Sequence, residues 1–184
     1  MQFSINTHKY LDAYYEILSE MQSQMTSVKF DSSISENFIK QMLPHHRAAI
    51  KMSEELLKYT ENISLQNIAL NIISEQTQSI ENMESVEAIC SRTEDNASNL
   101  NKYRRKNTDI LNNMFTNMRK ARACNSIDIS FMHQMIPHHL GAIGMAENAL
   151  CFEICSELVP ILDSIITSQK KGVCQMRELL SALT

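Results

Sequence analysis

Apolar side chains recur every three or four residues along most of this chain, the spacing of one helix face rather than the alternation of a strand. Leu11, Tyr14, Leu18, Met21 and Met25 form the first stripe and predict a helix over about 7–28. Ile34, Phe38 and Met42 begin a second that continues to about 59, and Ser33 with Glu36 has the spacing of a capping box at its start. After a polar break, Leu65, Ile68, Ile72, Ile73, Ile80 and Met83 mark a third helix over about 64–90. Three more are predicted near 101–122, 126–152 and 156–183. Three glycines and three prolines in 184 residues leave few turns to interrupt them, so the expected fold class is all-α.

The second set of helices restates the first. A shift of 93 residues aligns 8–91 with 101–184 without a gap and gives 25 identities in 84 positions. The predicted organisation is a three-helix repeat over 1–91, a polar linker over 92–100 within SRTEDNASNL, and a second three-helix repeat over 101–184, the two joining in one bundle.

The composition of the repeated positions changes the picture from architecture to chemistry. Of twelve methionines, ten form five pairs related by the shift: Met21 with Met114, Met25 with Met118, Met42 with Met135, Met52 with Met145, and Met83 with Met176. His45 and His46 pair with His138 and His139, whereas Met132, His8, His133 and all five cysteines fall outside the pattern. On a helical wheel Met42, His45, His46, Ala49 and Met52 lie within about 120° of one another, and Met21 with Met25 and Gln76 with Met83 are aligned on their own helices. His45 and His46 are about 100° apart, so one is expected to ligate and the other to support it. Gln76 and Gln169 read as supporting hydrogen-bond partners or as solvated positions, and Met25 and Met118 as ligands or as packing near a helix end.

Thioethers are soft and neutral and imidazole is borderline, a combination that favours copper(I), with silver(I) as a surrogate, over oxygen-seeking cations. Zinc and iron are less favoured. Carboxylates are missing from these faces, and no Glu-x-x-His occurs, which argues against a zinc hydrolase and a carboxylate-bridged di-iron site. Methionine stripes also occur simply as core filling. The adjacent imidazoles tip the balance, because buried ring nitrogens need partners. Pro44 and Pro137 fall inside the second helix of each repeat, where they either kink it beside the histidines or mark a late start.

The segments FIKQMLPHHRAAIKMSEELL and FMHQMIPHHLGAIGMAENAL resemble the M-x-P-H-H-x-x-A-I-x-M signature of the ferritin-like, methionine-rich family described as domain of unknown function 305. Gln76 with Met83, Gln169 with Met176, and the paired methionines of the first helices match that family's flanking motifs. The resemblance spans both repeats. It implies a ferritin-like helical bundle and, for copper-binding members, resistance or sequestration, often outside the cytoplasm. The fold expected here is a ferritin-like four-helix bundle with pseudo-twofold symmetry, formed by the second and third helices of each repeat with the first helices packed outside. The ligand pool comprises Met21, Met25, Met42, His45, His46, Met52, Met83, Met114, Met118, Met135, His138, His139, Met145 and Met176.

A net charge of −4 and one short basic cluster, Lys102–Lys106, give no footprint for nucleic acid. No apolar run is long enough to span a membrane. The start of the chain carries no signal pattern, so the expected compartment is the cytoplasm, or the exterior if a signal has been removed. Five cysteines without CxxC spacing are expected to be reduced; Cys151 and Cys155, four apart, read as sharing a helix face, for packing or metal. The expected partners are a metal ion and a second copy of the chain. Reversible copper(I) binding for storage, buffering or resistance is the favoured function and needs no catalytic step. The alternatives are a metal-dependent redox enzyme, discriminated by turnover of a peroxide or phenol, and a helical scaffold whose methionines are only core.

Overall fold

The structure, a computed structural model, describes residues 3–183; the outermost positions of the two repeats, 1, 2 and 184, lie outside the described residues. Six helices follow in order, α1 (Ile5–Thr26), α2 (Ile34–Leu57), α3 (Ile63–Cys90), α4 (Ala97–Arg119), α5 (Ile127–Ala149) and α6 (Val159–Leu183), with no strand among the described residues. α2 packs on α3, α5 on α6, α2 on α5 and α3 on α6, so these four close a ring, while α1 lies against α2 and α4 against α5. This is compatible with the ferritin-like bundle that the resemblance implies.

Local chemistry explains where the helices begin. Ser4, Ser33, Asn62, Asn96 and Ser126 each stand just before a helix with a side-chain oxygen accepting an N–H of its first turn. Ser33 Oγ accepts from Glu36 N–H as expected, but Glu36 pairs with Lys40. The N–H of the next residue, Ile34, donates to Asp95 Oδ2. α4 starts four residues before the expected 101, because Asn96 caps it. The supposed linker is thus half helix, and its remainder is anchored, since Asp95 N–H also donates to Ser32 O. α2 and α5 run unbroken through Pro44 and Pro137, so neither helix starts at its proline.

Two of the five cysteines depart from expectation. Cys90, the last residue of α3, is disulfide-bonded to Cys155 in the α5–α6 connection, with Cα atoms 5.2 Å apart. Nearby, Ser33 Oγ donates to Cys90 O and Cys155 N–H donates to Ser35 Oγ, so the bridge joins three segments at one end of the bundle. Cys151 is exposed at the end of α5 and does not share a face with Cys155. The pairing depends on approach across 65 residues, which spacing alone does not reveal.

Polar cross-links tie each outer helix to the opposite repeat. Tyr10 Oη on α1 donates to Gln134 Oε1 on α5 at 2.7 Å, and Asn107 Nδ2 on α4 donates to Gln41 Oε1 on α2 at 2.6 Å. Tyr14 Oη donates to the Met118 carbonyl at 3.0 Å, and, within the first repeat, Gln41 Nε2 donates to that of Met25 at 3.1 Å. Each is a buried hydrogen bond whose loss would leave an unpaired group.

Candidate metal centre

His45 and His46 leave α2 in different directions, as 100° of helix rotation requires. His45 reaches α5, where Nε2 donates to the His138 carbonyl at 3.2 Å; His138 Nε2 returns the bond to the His45 carbonyl at 3.2 Å. The two rings stack with centroids 3.7 Å apart. His46 turns towards α3, with Nε2 3.0 Å from Ser79 Oγ. His139 turns towards α6 and lies over Gly172, where an added Cβ would come within 3.0 Å of Nε2. Ring centroids 5.9 Å apart link His46 to His45 and His138 to His139, so the four imidazoles form one continuous row across both repeats.

Proton positions on the inner pair follow from their partners. A carbonyl oxygen only accepts, so Nε2 of His45 and His138 carries the hydrogen and Nδ1 is a bare lone pair. Nδ1 of all four rings is buried with no hydrogen-bond partner. Burial pushes the pKa of His45 and of His139 down to about 3. It holds His46 and His138 well below the usual range as well, with neighbouring imidazoles adding to the effect. All four are therefore neutral at pH 7, the state in which imidazole ligates. An unpaired buried polar group costs about 1–3 kcal/mol, so four in a row require a reason.

The ten paired methionines are all buried, none more than 3% exposed, and belong to one contiguous core with Met132. Met25 and Met118 also offer their carbonyls to the cross-links above. Among the described residues no group of three or more His, Cys, Asp or Glu is placed to hold a metal ion, so a site built on this row draws on thioethers. Gln76 and Gln169 are buried, not solvated, and neither supports a histidine: both amide atoms of Gln76 and Oε1 of Gln169 are unpaired. Ser79, which does contact an imidazole, carried no sequence signal, because its counterpart under the shift is Gly172. His8 and His133 stand apart from the row, His8 packing edge-on against Phe3.

The two repeats hold equivalent methionines differently. A Cβ on Gly141 would lie 2.2 Å from Met114 Sδ and 3.0 Å from Met114 Cβ, so this thioether occupies space that only glycine leaves. Gly141→Ala is expected to lower stability by about 1–3 kcal/mol as Met114 is displaced. Urea unfolding of the apo-protein checks this, and an unchanged midpoint would mean that Met114 repacks freely.

Residues 35–180 match the family described as "Domain of unknown function (DUF305)". The fold is similar to solved structures of a protein called CopM. Its silver-bound form, obtained by soaking, matches with 28% identity over 80% of this chain and 95% of that one, at a TM-score of 0.61. Its apo form matches with 29% identity over 80% and 96%, at 0.60. A DUF305 fragment from Deinococcus radiodurans, 18% identical, covers 81% of this chain and 96% of its own at 0.58 and shares the fold. No curated protein sequence matches.

Proposed function

This chain belongs to the family described as domain of unknown function DUF305, and on that premise we propose that it reversibly binds copper(I), or a similarly soft ion such as silver(I), through its methionine thioethers and imidazoles. The observation that carries the reading is the row of four neutral imidazoles, each with a buried, unpartnered Nδ1, inside a methionine-rich core. A coordinated ion would satisfy those lone pairs, and neutral thioethers would complete its shell without the charge that hard cations need. The silver-bound form of CopM supports the choice of ion, since silver(I) prefers the same soft, neutral donors. The ligand pool is the repeated set, with His45, His46, His138 and His139 at its centre and Met21, Met42, Met52, Met83 and their partners around them. Met25 and Met118 stand at its margin. Storage, buffering or resistance requires only binding and release. The Cys90–Cys155 bridge supports an oxidising compartment for this role.

The test is titration of the protein with copper(I) under a competing chelator, beside silver(I), zinc(II) and iron(II). Expected are tight binding of copper(I) and silver(I) and much weaker binding of the other two. A stoichiometry near zero for both soft ions would sink the proposal.

A further inference from the structure

The row of imidazoles is symmetric at its centre and unequal at its ends. His45 and His138 exchange identical bonds with each other's carbonyls, whereas His46 meets a hydroxyl and His139 meets a glycine. Ser79 and Gly172 are related by the same 93-residue shift as the histidines, so the difference is a single side chain at one position of the repeat. His139 fills the space in which a serine Cβ would stand, with Cδ2 and Nε2 at 2.9 and 3.0 Å from it. No hydrogen bond reaches His139 Nε2 among the described residues.

We infer that Ser79 is a positioning residue that makes the His46 end of the row the tighter end for a soft metal ion, so that the first ion loads there and the His139 end fills second. The inference rests on the metal-binding reading above and names which part of that site leads. With Ser79 Oγ as acceptor, His46 Nε2 carries the proton, and Nδ1 presents its lone pair to the core at a fixed ring angle. A ligating imidazole whose other nitrogen is anchored binds about 10–100-fold better than one left free to turn and to exchange tautomers. His139, without that anchor, divides its proton between two nitrogens and loses orientation on binding.

A cleft also reaches this end of the row. Ser79 lines it, and the cleft, about 680 Å³, opens between α3 and α6. Its walls combine the hydroxyls and amides of Gln78, Asn82, Ser164 and Ser168 with charged Glu75 and Asp163 and with apolar side chains, and Ser79, which holds His46, is partly open to it. An ion arriving by this cleft meets His46 through a single side chain.

The experiment compares the wild-type chain with Ser79→Ala and Ser79→Thr in silver(I) titrations against a competing chelator, with histidine ring resonances followed by NMR. In the wild type, His46 carries its proton on Nε2 before any silver is added, and its resonances shift before those of His139. Ser79→Ala weakens the tighter step about tenfold, leaves the weaker step in place and makes the two ends respond together. Ser79→Thr, which keeps the hydroxyl, restores the order. A packing role alone would change thermal stability without changing that order. Silver binding by the wild type with His139 leading, or with Ser79→Ala identical to it, overturns this inference and leaves the metal-binding reading standing. Absence of silver binding by the wild type overturns both.

Discussion

Between pH 7 and about pH 5 the apo-protein is expected to lose most of its stability, and bound silver(I) or copper(I) to offset the loss by raising stability at both pH values. In the unfolded chain a histidine titrates near its ordinary 6.5. In the folded chain burial keeps His45 and His139 neutral down to about 3 and holds His46 and His138 well below the usual range. Above 6.5 both states are neutral and nothing is lost. As the pH falls below it, the unfolded state takes up protons that the folded state refuses, and stability declines until the folded rings protonate. Each such histidine contributes about 1.4 kcal/mol per pH unit, so one and a half units cost about 2 kcal/mol per ring and on the order of 8 for four. Against a typical total of about 5–15 kcal/mol this approaches full unfolding. No carboxylate is among the influences on these rings, and pH 5 lies above the ordinary carboxylate range, so the effect belongs to the imidazoles. Urea midpoints at pH 7 and 5, with and without silver(I), provide the measurement. Equal apo midpoints would show that the rings are not held neutral by the fold.

Helix placement was readable from sequence because amphipathic spacing and caps act locally. The stripes from Leu11 to Met25 and from Leu65 to Met83 needed no tertiary information, and Ser33 announced the start of α2. Errors arose where a local signal was weak or a distant partner decided. SRTEDNASNL looked like linker because it is polar, yet Asn96 caps α4 within it, and Asp95 is fixed by Ser32 and Ile34 from the other side of the first repeat. Cys90 and Cys155 gave no local sign of pairing, since the approach of their Cα atoms is a property of the α3 end and the α5–α6 connection together.

For the candidate site, the self-comparison at 93 residues selected the buried methionines and the four core histidines and left aside exposed His8. It could not give the direction of any ring. That His45 faces His138 while His46 faces Ser79 follows from the packing of α2 between α3 and α5. The same self-comparison hid Ser79, because it rewards sameness and this position matters through its difference from Gly172. Gln76 and Gln169 show the reverse: they repeat, yet their amides stop short of the imidazoles.

Replacing His45, His46, His138 and His139 together by leucine is expected to leave the apo-protein as stable as the wild type or more so, while soft-metal affinity falls by more than about 100-fold. The second half follows from ligand chemistry, since losing even a hydrogen-bond partner of a ligating histidine costs about 10–100-fold, and here the ligands themselves go. The first half follows from the unpaired nitrogens. Each buried Nδ1 without a partner costs about 1–3 kcal/mol in the apo-protein, and an apolar side chain of similar bulk removes that cost while keeping the α2–α5 contact filled. The carbonyls of His45 and His138 lose one donor each but lie within helices, where each also has its place in the main-chain ladder. Such a gain in stability with loss of function is the mark of residues kept for a ligand rather than for the fold. The leucine variant should also lose the acid sensitivity described above, because the protons that the unfolded wild type takes up have nowhere to bind. Circular dichroism during urea unfolding at pH 7 and 5, with silver(I) titration of the same samples, reads all three effects. A variant that unfolds more readily while binding silver(I) unchanged would assign the imidazoles to packing and remove them from the metal site.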